Sequence, residues 1–554
     1  MGILSRLQPL GVAMTSTRLI QGLAVLAVAM FALQTFSHNQ ADVDLWGNVG
    51  FVQAWPGSPG FHRVNTFSFT DPDHPWINHE WLGEYCLHSA YAHFGNAGLL
   101  ALKILLGLAL LCLVLTTVRA QGLRGPAQFL FLLLFLSTVG YGFGTRPHLF
   151  TYVLYAAFLL ILQFWGRTHP GRLLLLPVLM LAWVNLHGAF FIGLLLLAVY
   201  LVMETLHRRT DARRVGPELL SRRSPEAEAD AQAVAGHEVR SYESRRTPRT
   251  AVWLVLGVLG LAVAATFVNP FGAGLWRFVA ESAAKPRPYL SEWAPFNLFA
   301  HFSDHSDFVA LAALSVAALL LSRKPKDPTW LTFLAFSFVA ALWLRRNIPL
   351  FAITAAFVVP EHLRDVVARY RDSVRLRLPL WLTAAVLALF TVASAWLTCG
   401  ARKADPLQIE VDQTRFPSDA IAYIQANDIR GNALVFFDWA EFFNWHCYPA
   451  SRVFLDGRFT DAYSPETVDA YFNFLYRGPG WDRALTQYPV DMVLMHRGAS
   501  AYEPMLKHEG WVLVYQNAIA GLFLKADRHE ATLVKLRAGQ GVVPPKQRVT
   551  FFPE

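Results

Sequence analysis

The chain has 554 residues, of which 54% are hydrophobic and only 16% are charged. This composition excludes an ordinary soluble multidomain protein and indicates an integral membrane protein. The formal net charge of +8 would suit a nucleic-acid partner, but the arginines concentrate in short connections between apolar runs, where they determine membrane topology. We therefore expect no nucleic-acid binding.

The first apolar run, residues 19–36, follows Arg6 and Arg18 and so resembles the basic and apolar regions of a signal peptide. It is followed by Ser-His-Asn-Gln at 37–40 rather than by a small-residue cleavage site. This pattern predicts an uncleaved first helix with its N-terminus in the cytoplasm.

Apolar runs of spanning or nearly spanning length recur along the first two thirds of the chain and predict about eleven transmembrane helices. They occupy residues 19–36, 97–118, 128–144, 149–165, 173–185, 189–205, 251–268, 306–322, 329–344, 347–360 and 380–398. The runs 173–185 and 189–205 are short, and they form either two spans or a re-entrant pair around the break at His187 and Gly188. With either arrangement every arginine-rich loop lies in the cytoplasm. The longest such loop, residues 206–250, has few aromatic residues and is predicted to be disordered.

After Cys399 the pattern changes to short units that alternate between helix and strand. Helical patterns cover residues 417–427, 465–476 and 481–488, and strand patterns cover 433–437, 452–456, 490–496, 511–516 and 521–525. The predicted fold is therefore a mainly α polytopic membrane domain at 1–399, with an outer loop at 37–96, followed by a soluble α/β domain at 400–554. The topology places this second domain in the periplasm or outside the cell.

Acids, imidazoles and some arginines at the ends of the predicted spans gather on the outer side, whereas the inner side carries almost only arginine. The outer set is Asp42, Asp44, His79, Glu80, Arg146, His148, Asn185, His187, Asn269, Glu292, Trp293, Arg345, Arg346 and Asn347. Polar residues at membrane depth are costly unless they face a cavity or one another, so a one-sided collection suggests a site. An acid can act as a general base and arginines can hold a phosphate, which suits displacement of a lipid-linked phosphate by an acceptor.

Each of these residues also has a structural interpretation. Aspartates often cap helices, arginines reach lipid headgroups, and Asn185 and His187 lie where a helix breaks and exposes backbone polar groups. Asp456 and Arg458 resemble a strand end followed by a turn. The sequence contains no phosphate-binding glycine-rich loop, no zinc-ligand spacing and no serine nucleophile elbow.

Several of these stretches resemble the bacterial membrane glycosyltransferases of the C superfamily, relatives of the dolichyl-phosphate-mannose protein mannosyltransferases. In the first outer loop they are Asp42-Val-Asp44-Leu-Trp46, Arg63-Val-Asn-Thr66-Phe-Ser68-Phe-Thr and Pro75-Trp-Ile-Asn-His79-Glu80-Trp81-Leu. Further along they are Arg146-Pro-His148, Trp183-Val-Asn185-Leu-His187-Gly188, Asn269-Pro-Phe-Gly272, Glu292-Trp293, Arg346-Asn347 and Phe454-Leu-Asp456-Gly-Arg458. The resemblance covers nearly the whole chain. The match depends on the order of these stretches and on their predicted location on one side of the membrane.

The resemblance implies a polyprenyl-phosphate-linked sugar as donor and an inverting transfer to a glycan, lipid or protein acceptor of the cell envelope. It implies that Asp44, or Asp42 in its place, is the catalytic base, and that Arg346 binds the donor phosphate. Arg345 and Arg146 are further candidates for phosphate binding, and His79, Glu80, His148, Asn185, His187 and Glu292 are candidates for substrate binding.

The chain departs from its relatives directly after Trp46, where Gly47 and Asn48 stand in place of a second aromatic residue and a histidine. Since some members of the superfamily use a divalent cation and others do not, the sequence leaves a metal cofactor open. The expected location is the bacterial inner membrane. Other functions compatible with the sequence are a transporter or flippase of lipid-linked saccharides, a polysaccharide polymerase, and a non-catalytic factor of envelope assembly.

Overall fold

In a computed structural model of the protein, the structure describes residues 4–52, 62–166, 168–221, 250–285, 287–370, 379–399, 405–545 and 550–554. Most of the loop predicted to be disordered, residues 222–249, lies outside the described residues. The chain is mainly helical up to Cys399, and strands of two or more residues occur only beyond that point in the described part of the chain.

In the described residues before the C-terminal domain there are eleven long helices, close to the places that the apolar runs predict. They are Leu4–Phe36, Trp81–Ala120, Gly125–Gly140, His148–Phe164, Leu175–Leu186, Phe191–Ser221, Thr250–Ala265, Ser306–Leu321, Pro328–Trp343, Ile348–Tyr370 and Leu380–Cys399. Short helices in the connections are Leu45–Gly50, Gly274–Ala284 and Leu298–His301, and 3-10 turns are Pro170–Leu174, Gly188–Phe190, Ser291–Trp293 and Arg345–Asn347.

Four apolar segments within the described helices are long enough to cross a membrane, namely Arg18–Phe36, Trp81–Ala120, Gly188–His207 and Leu380–Thr398. Other apolar helices, such as Ser306–Leu321, have only 10 to 17 residues. The chain therefore has the helices of a membrane protein, but the predicted count of eleven spans is not confirmed.

The helix that follows the first loop begins at Trp81, inside the stretch 37–96 that the sequence assigns to an outer loop. Its backbone departs from helical geometry at Gly95, where φ is +60°, so the apolar part is a second segment set at a kink. The part before the kink packs on protein, since Leu87 belongs to the same buried cluster as residues of the C-terminal domain. The prediction of spans from apolar runs therefore left out the part of the helix before Gly95.

The C-terminal domain is an α/β unit, as its alternating pattern predicts. Its strands are β1 (Glu410–Val411), β2 (Asn432–Val435), β3 (Arg452–Val453), β4 (Met492–His496), β5 (Trp511–Gln516), β6 (Ala520–Lys525) and β7 (Thr550–Phe551). Its helices are Ser418–Ala426, Ala440–Cys447, Pro465–Tyr476, Arg483–Gln487, Tyr502–Met505 and Glu530–Arg537, with 3-10 turns at Phe437–Trp439 and Phe459–Asp461. The sequence did not predict the helix Ala440–Cys447, which carries a residue of the site.

The main sheet has the order β3-β2-β4-β6-β5, and β1 pairs separately with β7. Strands β3, β2 and β4 run parallel, whereas β6 is antiparallel to both of its neighbours. The carboxyl ends of the three parallel strands therefore share one edge of the sheet, which is where open α/β sheets bind ligands.

The first outer loop is built into the core of the C-terminal domain. Trp46 is 1% exposed and packs edge-on against Phe442 at 4.9 Å between ring centroids. Its indole N–H donates to the carbonyl of Pro553 at 2.9 Å. Because this loop also carries Asp42 and Asp44, the packing fixes both aspartates relative to the sheet.

Candidate active site

A cavity of about 1170 Å³ lies between the helices and the C-terminal domain. Nine of the eleven residues that the sequence predicts for the site line it. They are Asp42, Asp44, His79, Glu80, Arg146, His148, His187, Glu292 and Arg346. Asn185 and Arg345 are not among the lining residues.

Arg146 holds the two aspartates of the first loop. Its guanidinium lies 2.7 Å from the Asp42 carboxylate through Nη2 and 2.6 Å from the Asp44 carboxylate through Nη1, and its Nε–H donates to Asp42 at 2.8 Å. The planar donor fork of arginine suits such a double contact. These contacts orient both aspartates with respect to Arg146.

Glu292 connects the group of Asp42, Asp44 and Arg146 to Arg346, which lies in the 3-10 turn Arg345–Asn347. Its carboxylate oxygens lie 3.6 Å from Arg146 Nη1 and 3.7 Å from Arg346 Nη1. The neighbouring Trp293 has the Arg287 guanidinium 4.1 Å and the Arg346 guanidinium 4.6 Å from its ring centroid, an attractive arrangement for cations. Asp44 and Arg346 are far apart in the sequence, yet both line the same cavity.

The carboxylates of this group have different proton affinities. Burial raises the pKa of Asp44 to about 7, although Arg146 opposes the shift and the charges of Asp42 and Glu292 add to it. Burial also acts to raise the pKa of Asp42, but Arg146 outweighs it and holds that pKa below its ordinary value. Asp44 is therefore the carboxylate poised to exchange a proton near neutral pH.

Glu80 is shared by two histidines. Its Oε1 lies 3.2 Å from His79 Nε2 and 3.1 Å from His187 Nε2. The Nδ1 of His187 accepts from the Ala189 N–H at 3.2 Å, so its proton is on Nε2 and is donated to Glu80. Burial opposes ionisation of Glu80, but the two histidines hold its pKa well below the ordinary value.

The two predicted residues that do not line the cavity make contacts within the protein. The Asn185 side chain accepts from the Trp81 indole at 3.1 Å and donates to the carbonyls of Leu181 and Val268, both at 2.9 Å. The Arg345 guanidinium donates to the Ser291 carbonyl and so joins the 3-10 turns Ser291–Trp293 and Arg345–Asn347, which belong to different loops. His148, which does line the cavity, donates from Nε2 to the Gly142 carbonyl at 2.6 Å.

The sequence missed Glu441, a buried acid of the C-terminal domain. Its Oε2 accepts from the Gly47 N–H at 3.0 Å, and a methyl group placed on Gly457 would meet both the Glu441 and Asp44 carboxyl groups. Burial, with Asp44 next in effect, raises the pKa of Glu441 well above its ordinary value, so its environment favours the neutral acid over the carboxylate. Only the position of this acid in an aromatic-rich run distinguishes it in the sequence.

Arg287 was also missed. Its guanidinium forms an ion pair with Asp461 at 2.8 Å and is 8% exposed, yet its Nε is buried without a hydrogen-bond partner. Lys285 reinforces the same connection by donating to the Thr460 carbonyl at 2.9 Å. These contacts fasten the loop that carries Glu292 to the C-terminal domain.

Asp456 and Arg458 form a buried ion pair at 2.7 Å beside the cavity. The Arg458 guanidinium is within 4.6 Å of the Trp76 ring centroid, and its Nη2 donates to Asn65 Oδ1 at 2.7 Å. These contacts agree with the structural interpretation of the pair. Within the described ranges, no group of three or more His, Cys, Asp or Glu side chains is arranged to hold a metal ion.

No family model and no curated protein matches the chain. Among solved structures, the chain is similar to the arabinofuranosyltransferase AftD from Mycobacteria, with 14% identity and a TM-score of 0.48 over 91% of its residues. It spans 41% of the length of AftD.

Proposed function

We propose that the chain is a membrane glycosyltransferase of the C superfamily that moves a sugar from a polyprenyl phosphate to a hydroxyl group of a cell-envelope acceptor. The observation that supports this function best is the chain of contacts from Asp44 through Arg146 and Glu292 to Arg346. It puts a base and a cation in one cavity, and a phosphate-displacing transfer needs both.

In the proposed step, the acceptor hydroxyl gives its proton to the Asp44 carboxylate as its oxygen attacks the anomeric carbon of the donor sugar. The bond between that carbon and the phosphate oxygen breaks, and the phosphate leaves with the electron pair. Arg346 stabilises the charge that develops on the leaving phosphate. Attack opposite the leaving group inverts the anomeric configuration.

The walls of the cavity suit such a donor. Its lining includes apolar side chains from the helices Phe191–Ser221 and Pro328–Trp343, among them Ile192, Leu195 and Phe336. An apolar groove that continues into a charged centre fits a lipid chain with a phosphate head. The outer side of the inner membrane is the compartment where such a donor and an envelope acceptor meet.

The experiment uses the full-length protein in nanodiscs with a panel of radiolabelled undecaprenyl-phosphate hexoses and pentoses. The wild type is expected to release undecaprenyl phosphate with envelope extract as acceptor source, and Asp44→Asn is expected to lose roughly 10²- to 10⁴-fold of this activity. Asp73→Asn is the matched control, because Asp73 lies in the same loop but is exposed and outside the cavity lining.

Full activity of Asp44→Asn would reject the assigned base. If the wild type releases no phosphate from any donor but moves the intact labelled lipid across liposome membranes, and Asp44→Asn does so equally, the transporter alternative replaces the transferase.

A further inference from the structure

The edge of the sheet formed by the parallel strands opens into the cavity. The segment 436–438 directly follows β2, the segment 457–459 follows β3 closely, and His496 is the last residue of β4. All of these residues line the cavity. In open α/β sheets this is the edge that binds ligands. In this protein it faces the cavity in which the transfer is proposed to occur.

Asp438 lies at the junction between this edge and the aspartates. Asp42 and Arg146 line the same cavity. Asp438 is exposed and lines the cavity, as do Arg415 and His496. A carboxylate, a guanidinium and an imidazole of the C-terminal domain thus share one cavity with Asp44.

The hydrogen bonding of His496 leaves it suited to bind a ligand. Its Nδ1 accepts from the Gly498 N–H at 2.9 Å, which places the ring proton on Nε2. The ring is packed between aromatic neighbours, with its centroid 5.5 Å from that of Phe436 and 5.6 Å from that of Trp439. The packing holds the imidazole in a fixed orientation without using its Nε2 proton.

Aromatic rings form another part of the same cavity wall. Tyr289 stacks on Phe472 with 4.0 Å between centroids, and Tyr476 lies beside them in a nearly parallel plane at 5.6 Å from Tyr289. Tyr476 is 54% exposed and Tyr289 is 37% exposed. Exposed ring faces next to charged hydrogen-bonding groups are unusual in a cavity meant only for a lipid.

We propose that Asp438, Arg415 and His496 form the acceptor subsite and that the acceptor is a saccharide. Rings can cover the C–H face of a sugar, while a carboxylate, a guanidinium and an imidazole together accept from and donate to neighbouring hydroxyl groups. A lipid acceptor would need a second apolar groove, and a peptide acceptor would be expected to use an unpaired strand edge. Asp438 and His496 lie instead at or just beyond the ends of β2 and β4, and Arg415 lies in the turn before the helix Ser418–Ala426.

This inference rests on the proposed function, but it is tested by binding alone. Full-length protein in nanodiscs is applied to an array of mono- and oligosaccharides typical of bacterial envelopes, with unglycosylated peptides and lipid headgroups printed beside them. The wild type is expected to bind a subset of the saccharides. Asp438→Ala and His496→Ala are expected to weaken that binding roughly tenfold or more, whereas Arg346→Ala leaves it unchanged.

Arg497→Ala is the matched control, because Arg497 follows His496 directly but lies outside the cavity lining and donates to the Asn517 carbonyl at 3.0 Å. Thermal unfolding of each variant shows that the domain is intact. Failure of the wild type to bind any saccharide, preference for peptides or lipid headgroups, or equal binding by Asp438→Ala would each overturn the subsite. Loss of undecaprenyl-phosphate binding in Arg346→Ala is measured separately, so failure of the donor assignment is distinguishable from failure of this one.

Discussion

The guanidinium of Arg146 lies 2.6 Å from the carboxylate of Asp44, and the same group binds Asp42 at 2.7 Å. This contact joins the start of the first loop to the short connection between the helices Gly125–Gly140 and His148–Phe164, which carries Arg146. The Arg146 guanidinium orients the proposed base. Its positive charge also offsets part of the repulsion between the acids that line the cavity.

Arg146→Lys is therefore expected to lower transfer by roughly a hundredfold while leaving the protein folded, because a lysine ammonium is a point charge and cannot reproduce the fork that spans two carboxylates. Initial rates with the labelled donor and thermal unfolding curves measure the two quantities. Arg277→Ala serves as control, since Arg277 pairs only with Glu281 on an exposed helix face. Wild-type rates for Arg146→Lys would show that the fork does not orient the base.

The pH dependence of the reaction tests the assignment of Asp44. Because burial raises the pKa of Asp44 to about 7 and only the carboxylate can accept the proton, the transfer rate is expected to rise as the pH increases through about 7 and to level off above it. The measurement is the pH profile of kcat/KM with the labelled donor. A rate that is flat between pH 5 and 9 would contradict this assignment.

Glu441 provides a second test of the charges that determine the pKa of Asp44. Because burial raises the pKa of Glu441 and favours its neutral form, Glu441→Gln is expected to keep the same charge and the acceptor for the Gly47 N–H, and the midpoint of the pH profile is expected to stay in place. If Glu441 were ionised, its removal would move the midpoint to lower pH, since one negative charge beside Asp44 would be lost.

Sequence patterns predicted the one-sided acids and arginines because a charged side chain at the end of a membrane span is costly and stands out against an apolar background. Asp42, Asp44, Arg146, Glu292 and Arg346 all line the cavity as that argument requires. Sequence patterns do not show which side chains each residue contacts, so Arg146 could be predicted as a candidate for phosphate binding but its contacts with Asp42 and Asp44 could not be predicted.

Residues of the C-terminal domain escaped prediction for the opposite reason. In a soluble domain an acid such as Glu441 is ordinary, and its burial arises only because the first loop packs on it across 394 residues of sequence. The strands themselves were predictable, since β5 occupies the residues that its alternating pattern indicates. Their parallel order, which brings Asp438 and His496 to one edge, depends on long-range pairing that a local pattern does not encode.

The buried pair of Asp456 and Arg458 is expected to contribute stability rather than catalysis. Asp456 is fully buried, and Asp456→Ala would leave the Arg458 guanidinium without its carboxylate among aromatic rings, at a cost of about 3–5 kcal/mol. Thermal unfolding in detergent measures this loss. Asp428→Ala is the control, because the pair of Asp428 and Arg430 is exposed and contributes little. Equal unfolding temperatures for the two variants would contradict the prediction.

Gly47 tests how closely the first loop must approach the C-terminal domain. It lies in the helix Leu45–Gly50, where alanine would ordinarily be preferred by about 1 kcal/mol, but a methyl group there would collide with the Glu441 carboxyl group. Gly47→Ala is therefore expected to displace Glu441 and, because the Glu441 and Asp44 carboxyl groups both lie beside Gly457, to disturb Asp44. Transfer activity should fall by roughly tenfold or more, with lower thermal stability. Gly257→Ala, in a helix where nothing lies within 4 Å of the added methyl group, should keep full activity and equal or higher stability. If Gly47→Ala behaves like Gly257→Ala, the first loop has room to move away from the sheet, and the close contact between Glu441 and the proposed base is not needed for the reaction.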